Sequence, residues 1–351
     1  MRIKNNKRLI KLILKKSREI CKSLKKRKKR KRGRPPLYED HIIVSALLIK
    51  TLKGLSLRDL QEELHSLFPK VPNFTTLCYR FKKLNQDCLI LLIRQTAEEI
   101  KEKLGATEFH CLIADGTGFG YGEPYQLRLR KGRELREVKS HVKTEVLVGV
   151  VKGKTSVVEV NTGRPYADEN RLLMQMLEGM EVRARYFVGD AYYGKSVKVL
   201  KKVKELNMIA IVPVKDTVHT RVRDGYRQWA RRSYEDGREV YRRNRFRVEQ
   251  VIGIVKNVMG DRDWTKDFYV ASLYVLGRFA IYNLALLEEL LLLLFRLSVL
   301  LRFFKALSLN IMGIFPTGSF PVDTVHEIDY IIRPQRWKGS GTQGPARLLG
   351  N

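Results

Sequence analysis

Hydrophobic residues change their spacing about a third of the way along the chain. In the first third, apolar positions recur every three or four residues, which predicts short helices. One helix is predicted over residues 41–52, and another begins after Ser56, which can cap it because Asp59 lies at the third helical position. A further helix is predicted to begin at Asn73 or Thr75. This region is therefore expected to be helical.

Beyond residue 108 the pattern changes to strands. Strands are predicted at 109–114, 145–152, 155–160, 184–189 and 208–214, with helices at about 168–179 and 195–206. Three strands in succession, followed by strands that alternate with helices, predict an α/β core with a mixed sheet. The first and fourth strands are predicted to end at Asp115 and Asp190. Because open α/β sheets bind ligands at the carboxyl ends of their strands, these aspartates are candidate site residues.

A third acid, Glu249, lies in a stretch with helical periodicity. Four valines fall on one side of that helix, Val248, Val251, Val255 and Val258, whereas Arg245, Glu249 and Lys256 fall on another. The simplest alternative is an ion pair between Arg245 and Glu249, four residues apart, worth about 0.2–0.5 kcal/mol. The position of this helix after both aspartates favours a shared site instead.

Three carboxylates that converge repel one another until cations neutralise them, and their hard oxygen ligands suit Mg²⁺ or Mn²⁺. We therefore predict that Asp115, Asp190 and Glu249 are the catalytic residues and also the metal ligands. Such a site performs metal-dependent phosphoryl transfer.

The charge of the chain indicates its partner. A net charge of +31 favours a polyanion, and double-stranded DNA is the expected one. Residues 1–34 contain 18 Lys or Arg and a single acid. Their end, Arg32-Gly33-Arg34-Pro35, resembles the core of an AT-hook, which lies in a narrow minor groove. A flexible basic linker is the alternative.

Two further segments are candidates for DNA contact. The helix that begins near residue 73 presents Arg80 with Lys82 and Lys83 outward, which favours a helix-turn-helix-like unit over a merely structural helical domain. The insertion 215–242 is arginine-rich, is predicted to be irregular and contains Arg231 and Arg232. Its interleaved aromatic residues suit phosphate contact and base stacking, although a solvated loop is the alternative.

Cysteine spacing and one leucine-rich segment exclude other classes of protein. The four cysteines have no CxxC spacing and no signal peptide precedes them, which predicts core thiols in a reducing interior without disulfides or zinc. The segment Leu284–Leu301 is interrupted by Glu288, Glu289 and Arg296, so a packing helix is expected, not a membrane span.

Several motifs occur in the order found in one family. They are Leu112-Ile113-Ala114-Asp115-Gly116-Thr117, Val188-Gly189-Asp190-Ala191-Tyr192-Tyr193-Gly194, and Arg245-x3-Glu249-x6-Lys256, preceded by Arg34-Pro35-Pro36 and Ser56-Leu57-Arg58-Asp59-Leu60. Over roughly residues 34–290 the chain resembles DDE transposases of the insertion-sequence-four and insertion-sequence-five superfamily. The family signature has a tyrosine three residues before the arginine; here Arg242 occupies that place, and Tyr241 precedes it.

The resemblance implies an RNase H-like catalytic core with an insertion before the glutamate helix. It divides the chain into a basic arm (1–36), a helical DNA-binding domain (37–105), a catalytic domain (106–290) and a C-terminal helix with a flexible tail (291–351). Arg245 and Lys256 would position phosphates, and a homodimer would pair two transposon ends.

The function implied is that of a transposase in the cytoplasm of a prokaryote, associated with the nucleoid. It would bind terminal inverted repeats, cleave the transposon ends by metal-dependent hydrolysis and join the 3′-hydroxyl to target DNA. Two alternatives remain open: a nuclease of the same fold that never joins strands, and a catalytically inactive DNA-binding protein derived from a transposase.

Overall fold

The computed structural model of the protein describes residues 6–25, 37–122, 125–128, 135–138, 140–216 and 221–312. The chain divides into two compact units, 1–295 and 296–351. The AT-hook-like segment with Arg32 and Arg34 lies outside the described residues, as does the tail beyond residue 312.

Five helices come first, and two of them begin at the predicted caps. They are α1 (Lys7–Lys25), α2 (Asp40–Lys53), α3 (Leu57–His65), α4 (Phe74–Lys83) and α5 (Asp87–Lys103). Ser56 Oγ accepts a hydrogen bond from the Asp59 amide at 3.2 Å, and Asp59 Oδ2 accepts one from the Ser56 amide at 3.3 Å. Asn73 caps α4 by accepting from the Thr75 amide at 3.0 Å. Both predicted helix starts are confirmed.

Part of the predicted basic arm is a packed helix. Leu9, Ile13 and Ile20 of α1 are at most 1% exposed and belong to the same apolar core as α2. These positions lie on one side of a helix, so the lysines and arginines between them remain in contact with water.

The sheet is mixed, as predicted. Its strands are β1 (Phe109–Tyr121), β4 (His141–Val151), β5 (Lys154–Gly163), β6 (Ala184–Val188) and β7 (Ile209–Ile211). A short strand, β8 (Arg262–Asp263), also pairs with β1. Two further strands, β2 (Tyr125–Arg128) and β3 (Leu135–Val138), pair with each other in a separate antiparallel sheet that the sequence pattern did not indicate. The order is β5-β4-β1-β6-β7. β4 is antiparallel to β1 and β5, whereas β6 and β7 continue parallel to β1. This is the RNase H-like arrangement that the resemblance implied.

Helices cover both faces of the sheet. They are α6 (Glu169–Glu178), α7 (Val197–Glu205), α8 (Gly225–Asp236), α9 (Arg238–Asn244), α10 (Phe246–Met259) and α11 (Phe268–Met312). Alternate residues of β1 point to opposite faces. Cys111 and Ile113 pack in one core with α10 and α11, whereas Leu112 and Ala114 pack in the other with α6 and α7. Asp115 therefore shares the α10 side of the sheet with Ile113.

The prediction that residues 215–242 are irregular is wrong for most of that insertion. Residues 225–236 form α8, and α9 follows at Arg238. Asp224 caps α8 by accepting from the amides of Tyr226 and Arg227 at 2.8 and 3.2 Å. Ala230 is the buried residue of this helix, so almost no apolar periodicity marks it in the sequence.

The leucine-rich segment lies within α11, which begins at Phe268. Leu284, Leu287 and Leu290 are buried against the protein, whereas residues 293–302 are half-buried or exposed. No helix in the described part of the chain has the length and apolar character that a membrane crossing requires.

Candidate active site

The first two acids lie in equivalent positions relative to two adjacent parallel strands, β1 and β6. Ile113 pairs with Val188 in the register of β1 and β6, and Asp115 and Asp190 each lie two residues further on. The prediction that the first strand ends at Asp115 is wrong, because β1 runs on to Tyr121. Pairing with β4 and β8 extends it. Asp115 is thus fixed by a backbone ladder, whereas Asp190 begins a loop.

Helix α10 brings the third acid to the same side of the sheet. Val248, Val251 and Val255 are buried, as predicted, and turn the opposite side of the helix outward. Arg245 Nη2 contacts Asp115 Oδ1 at 3.3 Å, and its Nη1 lies 3.1 Å from Glu249 Oε1. The ion pair considered as an alternative is present, and the same guanidinium also joins the first acid to the third.

The electrostatics of Asp115 show that the acids act on one another. The pKa of Asp115 is raised to about 6: burial is the largest cause and the charges of Glu249 and Asp190 also raise the pKa, whereas Arg245 and the Gly116 amide lower it. A carboxylate destabilised by burial and by two like charges is one that a cation stabilises. The charge of Glu249 thus affects the pKa of Asp115, although the two residues are 134 positions apart in the sequence.

The chemistry of these residues fits Mg²⁺ or Mn²⁺, since all three offer hard carboxylate oxygens. Among the described residues, no three His, Cys, Asp or Glu side chains are already gathered around one cation position. Arg245 supplies positive charge between Asp115 and Glu249 in this arrangement. Glu249 is 61% exposed, so its side chain has room to reorient toward the two aspartates.

Tyr241 of α9 belongs to this site although it lies one position early in the sequence motif. Burial raises its pKa, and the charge of Asp190 adds to the rise, whereas a side-chain hydrogen bond with Arg245 opposes it. Arg245 has helical backbone angles and its amide donates to the Tyr241 carbonyl at 2.9 Å, so the two residues lie one helical turn apart. The shifted tyrosine therefore still reaches the arginine.

The loop after β6 is anchored by the two tyrosines that follow Asp190. The Tyr192 amide donates to Asp190 Oδ1 at 2.8 Å, and the Tyr192 hydroxyl donates to Asp168 Oδ1 at 2.9 Å. The Tyr193 hydroxyl, which is buried, donates to Glu145 Oε1 at 2.5 Å. These bonds hold the second acid near the first without placing it in a strand.

Glu145 is the site residue that the sequence analysis missed. It is 0% exposed, faces Gly116 across the β1–β4 ladder, and its Oε2 has no hydrogen-bond partner. Burial raises its pKa well above the usual carboxyl range; the Tyr193 hydrogen bond opposes the rise, and the charges of Glu169 and Asp115 add to it. An acid within the apolar run of β4 was the available signal, because strands buried on both faces rarely contain one.

Gly116 explains how so many acids fit beside β1. A Cβ atom at this position would lie 2.7 Å from Glu169 Oε1 and 3.3 Å from Glu145 Oε2. Glu169 is paired with Lys143 of β4. The glycine that follows Asp115 thus provides space for a second layer of carboxyl groups beneath the site.

Two of the residues expected to contact DNA lie in structural contacts. Arg80 is 18% exposed, and its Nη2 contacts Asp40 Oδ1 at 2.7 Å while its Nη1 donates to the Tyr38 carbonyl at 3.1 Å. Lys256 lies over the Phe119 ring with 5.2 Å between ammonium and ring centroid, and burial lowers its pKa. Both cations help to fix neighbouring elements.

The two arginines of the insertion lie on α8. Arg231 is half exposed and contacts Asp216 Oδ2 at 3.0 Å and Glu235 Oε1 at 3.4 Å. Arg232 is exposed. They are separated from Arg245 by the whole of α9.

Comparison with known proteins gives two family matches that share one description, "Transposase DDE domain", over residues 110–284 and 9–102. An uncharacterized protein of Aquifex aeolicus (strain VF5) is 67% identical over 293 residues, which cover 84% of this chain and 91% of that protein. Among solved structures, the piggyBac transposase synaptic complex with hairpin DNA shows 12% identity and a TM-score of 0.41, covering 82% of this chain and 76% of that one. The Mos1 strand transfer complex shows 10% identity and a TM-score of 0.27, covering 76% and 82%.

Proposed function

This chain belongs to the DDE transposase family, and we propose from that premise that it cuts transposon ends and joins them to target DNA. It would bind terminal inverted repeats in the prokaryotic nucleoid, hydrolyse one phosphodiester bond at each end and direct the freed 3′-hydroxyl at a second DNA molecule. The two steps use one site, because both are displacements at phosphorus.

The observation that supports this proposal best is the placement of Asp115 and Asp190. They lie two residues beyond paired positions on neighbouring parallel strands, and strands in a sheet are about 4.8 Å apart. The charges of Asp190 and Glu249 both act on Asp115. One acid within β1 and one just beyond β6 raise the energy of each other's charged form, and a metal ion bound by both would remove that repulsion.

Asp115, Asp190 and Glu249 would hold Mg²⁺ or Mn²⁺, which supplies activation of the attacking hydroxyl and stabilisation of the leaving oxygen. Arg245 presents a planar fork of N–H donors that suits a phosphate as well as a carboxylate. Because it already lies between Asp115 and Glu249, it is placed to hold an oxygen of the scissile phosphate beside the acids.

DNA is the proposed partner because the charge of the chain is far from balanced. The net charge is +31, and the insertion helices expose arginines, including Arg232, Arg242 and Arg243. Such contacts supply the sequence-independent share of binding and make it fall with salt. A homodimer is proposed because two ends must be cut and joined together.

The test uses a duplex that carries the terminal repeat flanking this coding sequence, with Mg²⁺ or Mn²⁺. The native chain is compared with Asp190→Asn and with Asp236→Asn, an exposed aspartate at the end of α8. We expect cleavage and strand joining by the native chain and by Asp236→Asn, and a loss of at least a hundredfold in Asp190→Asn.

The outcomes separate the candidate functions. Cutting without joining would replace the transposase with a nuclease that uses the same acids. Tight binding of the repeat without cutting by either protein would indicate an inactive DNA-binding derivative. Cleavage that survives in Asp190→Asn would refute the assignment of the acids.

A further inference from the structure

The buried carboxyl group of Glu145 lies on the side of the sheet opposite Asp115. Glu145 pairs with Gly116 in the β1–β4 register, and Tyr193, which bonds it, packs in the core with α6 and α7. Asp115, one position earlier on β1, faces α10 instead, because successive strand residues point to opposite faces. The charge of Asp115 still acts on Glu145, but the two side chains point away from each other.

The carboxyl group of Glu145 has one hydrogen-bond donor and lies beside another acid. Its Oε1 accepts from the Tyr193 hydroxyl at 2.5 Å, whereas its Oε2 is buried without a partner. A Cβ atom at Gly116 would lie 3.3 Å from that Oε2 and 2.7 Å from Glu169 Oε1, so the two oxygens face one small space. Lys143 is paired with Glu169 and not with Glu145. Glu145 is therefore the less compensated acid of the two.

The uncharged form of Glu145 fits these surroundings. Its side chain is 0% exposed, so water does not solvate a charge there, and an ionised Glu145 would also repel Glu169. Burial is the main reason why the pKa of Glu145 lies well above the usual range. A protonated carboxyl has an O–H group, which would give Oε2 a hydrogen to donate toward Glu169 Oε1. Protonation thus removes the repulsion and satisfies the orphaned oxygen together.

Tyr193 connects Glu145 to the loop that carries the second acid. Its ring is 1% exposed and packs on the backbone just before Asp190, since a Cβ atom at Gly189 would lie 2.8 Å from Tyr193 Cδ2. On the other side, a Cβ atom at Gly194 would lie 2.6 Å from the Pro213 carbonyl oxygen. The loop is therefore packed closely before and after Asp190, and Glu145 fixes the hydroxyl end of the ring that it packs on.

We propose that Glu145 is a positioning residue that acts as an uncharged hydrogen-bonding group: it holds Tyr193, and Tyr193 holds Asp190 in place relative to Asp115. Strand β4 is a firm anchor for it, because β1 and β5 pair with its two edges. The inference rests on the proposed function, in which Asp115 and Asp190 bind one metal site. Residues that orient metal ligands typically change metal affinity or activity ten- to a hundredfold when they are replaced.

Three variants and one control separate hydrogen bonding from charge. Glu145→Gln keeps an acceptor for Tyr193 and a donor toward Glu169, Glu145→Ala keeps neither, and Tyr193→Phe removes only the hydroxyl. Tyr282→Phe is the matched control, because the Tyr282 hydroxyl donates to the Thr155 carbonyl at 2.9 Å, at the start of β5. Each protein is titrated with Mn²⁺ in two assays: the midpoint of thermal unfolding without DNA, and cleavage of the terminal-repeat duplex.

We expect Glu145→Gln and Tyr282→Phe to need the same Mn²⁺ concentration as the native chain for half of the effect in both assays. Glu145→Ala and Tyr193→Phe should need about ten to a hundred times more. Saturating Mn²⁺ should restore most of the cleavage, because the three acids are still present. Should Glu145→Ala fail to fold, Tyr193→Phe provides the comparison, since it deletes a single oxygen.

Infrared spectroscopy of the metal-free protein tests the uncharged form directly. The difference between the spectra of the native chain and Glu145→Gln at neutral pH should contain the carbonyl stretch of a protonated carboxyl group. This band does not depend on metal, on DNA or on catalysis. A purely structural role of Glu145 as a carboxylate would give carboxylate bands instead.

Three results would overturn the inference and leave the proposed function intact. Glu145→Gln that is as impaired as Glu145→Ala would show that the charge is required, which would make Glu145 a metal ligand or a catalytic acid. A native Mn²⁺ requirement in both Glu145→Ala and Tyr193→Phe would remove the positioning role, and carboxylate bands in the infrared difference would remove the uncharged form. A native chain that Mn²⁺ neither stabilises nor activates would overturn the proposed function as well.

Discussion

Replacing Asp115 with asparagine should stabilise the metal-free protein. The side chain is 20% exposed, and its pKa in the folded chain is about 6 against an ordinary value of 3.8. Each pKa unit corresponds to about 1.36 kcal/mol, so ionised Asp115 destabilises the folded chain by about 3 kcal/mol at neutral pH. Asparagine has nearly the same shape without the charge. Arg245 then loses one partner, which reduces the expected gain to about 1–3 kcal/mol.

The stability that Asp115→Asn gains over the native chain should increase with pH. Between about pH 4 and pH 6 the folded native chain binds a proton at Asp115 that the unfolded chain has released, so its stability falls as the pH rises through this window. Asp115→Asn has no such loss. The two proteins should therefore be about equally stable near pH 4 and differ most at pH 8. Glu145 adds to the difference, because the charge of Asp115 raises its pKa and Asp115→Asn removes that charge.

Guanidinium denaturation followed by circular dichroism in EDTA, at several pH values, measures this difference. Asp236→Asn removes an exposed carboxylate and should change the free energy of unfolding by less than about 0.5 kcal/mol. Adding Mg²⁺ or Mn²⁺ should raise the midpoint of the native chain more than that of Asp115→Asn. The reasoning is refuted if Asp115→Asn is no more stable at pH 8, or if its gain is the same at pH 4.

Two buried contacts and one exposed helix cap give further predictions. Asn283→Ala should lower the free energy of unfolding by about 3 kcal/mol, since its buried side chain bonds both the amide and the carbonyl of Val157 at 2.8 and 2.7 Å; a change below about 1 kcal/mol in urea denaturation would contradict this. Tyr193→Phe should cost about 1–3 kcal/mol because Glu145 loses its donor, and thermal unfolding that matches the native chain would argue against that bond. Ser56→Ala should cost about 1 kcal/mol, with Ser56→Gly costing only a few tenths; a loss in Ser56→Ala of less than about 0.3 kcal/mol in calorimetry would contradict the contribution of the cap.

The sequence determined the local elements and the identity of the acids. Helix starts at Ser56 and Asn73 and the alternating strands were predicted because caps and hydrophobic periodicity act over a few residues. The order of Asp115, Asp190 and Glu249 relative to those elements identified the family without any coordinates. Helix α8 was not predicted from the sequence because its single buried residue, Ala230, produces no periodic pattern.

Only the tertiary structure decided how these groups meet. The extension of β1 beyond Asp115 depends on pairing with β4 and β8, and the bridge from Arg245 to Asp115 joins residues 130 positions apart. The burial of Glu145 and the exposure of Trp264 are likewise invisible in a linear pattern. Each of these depends on which segments pack together, and a periodicity records only which side of its own element a residue occupies. The sequence therefore names the candidate acids, whereas the packing of distant elements sets the pKa of Asp115 and the contacts around it.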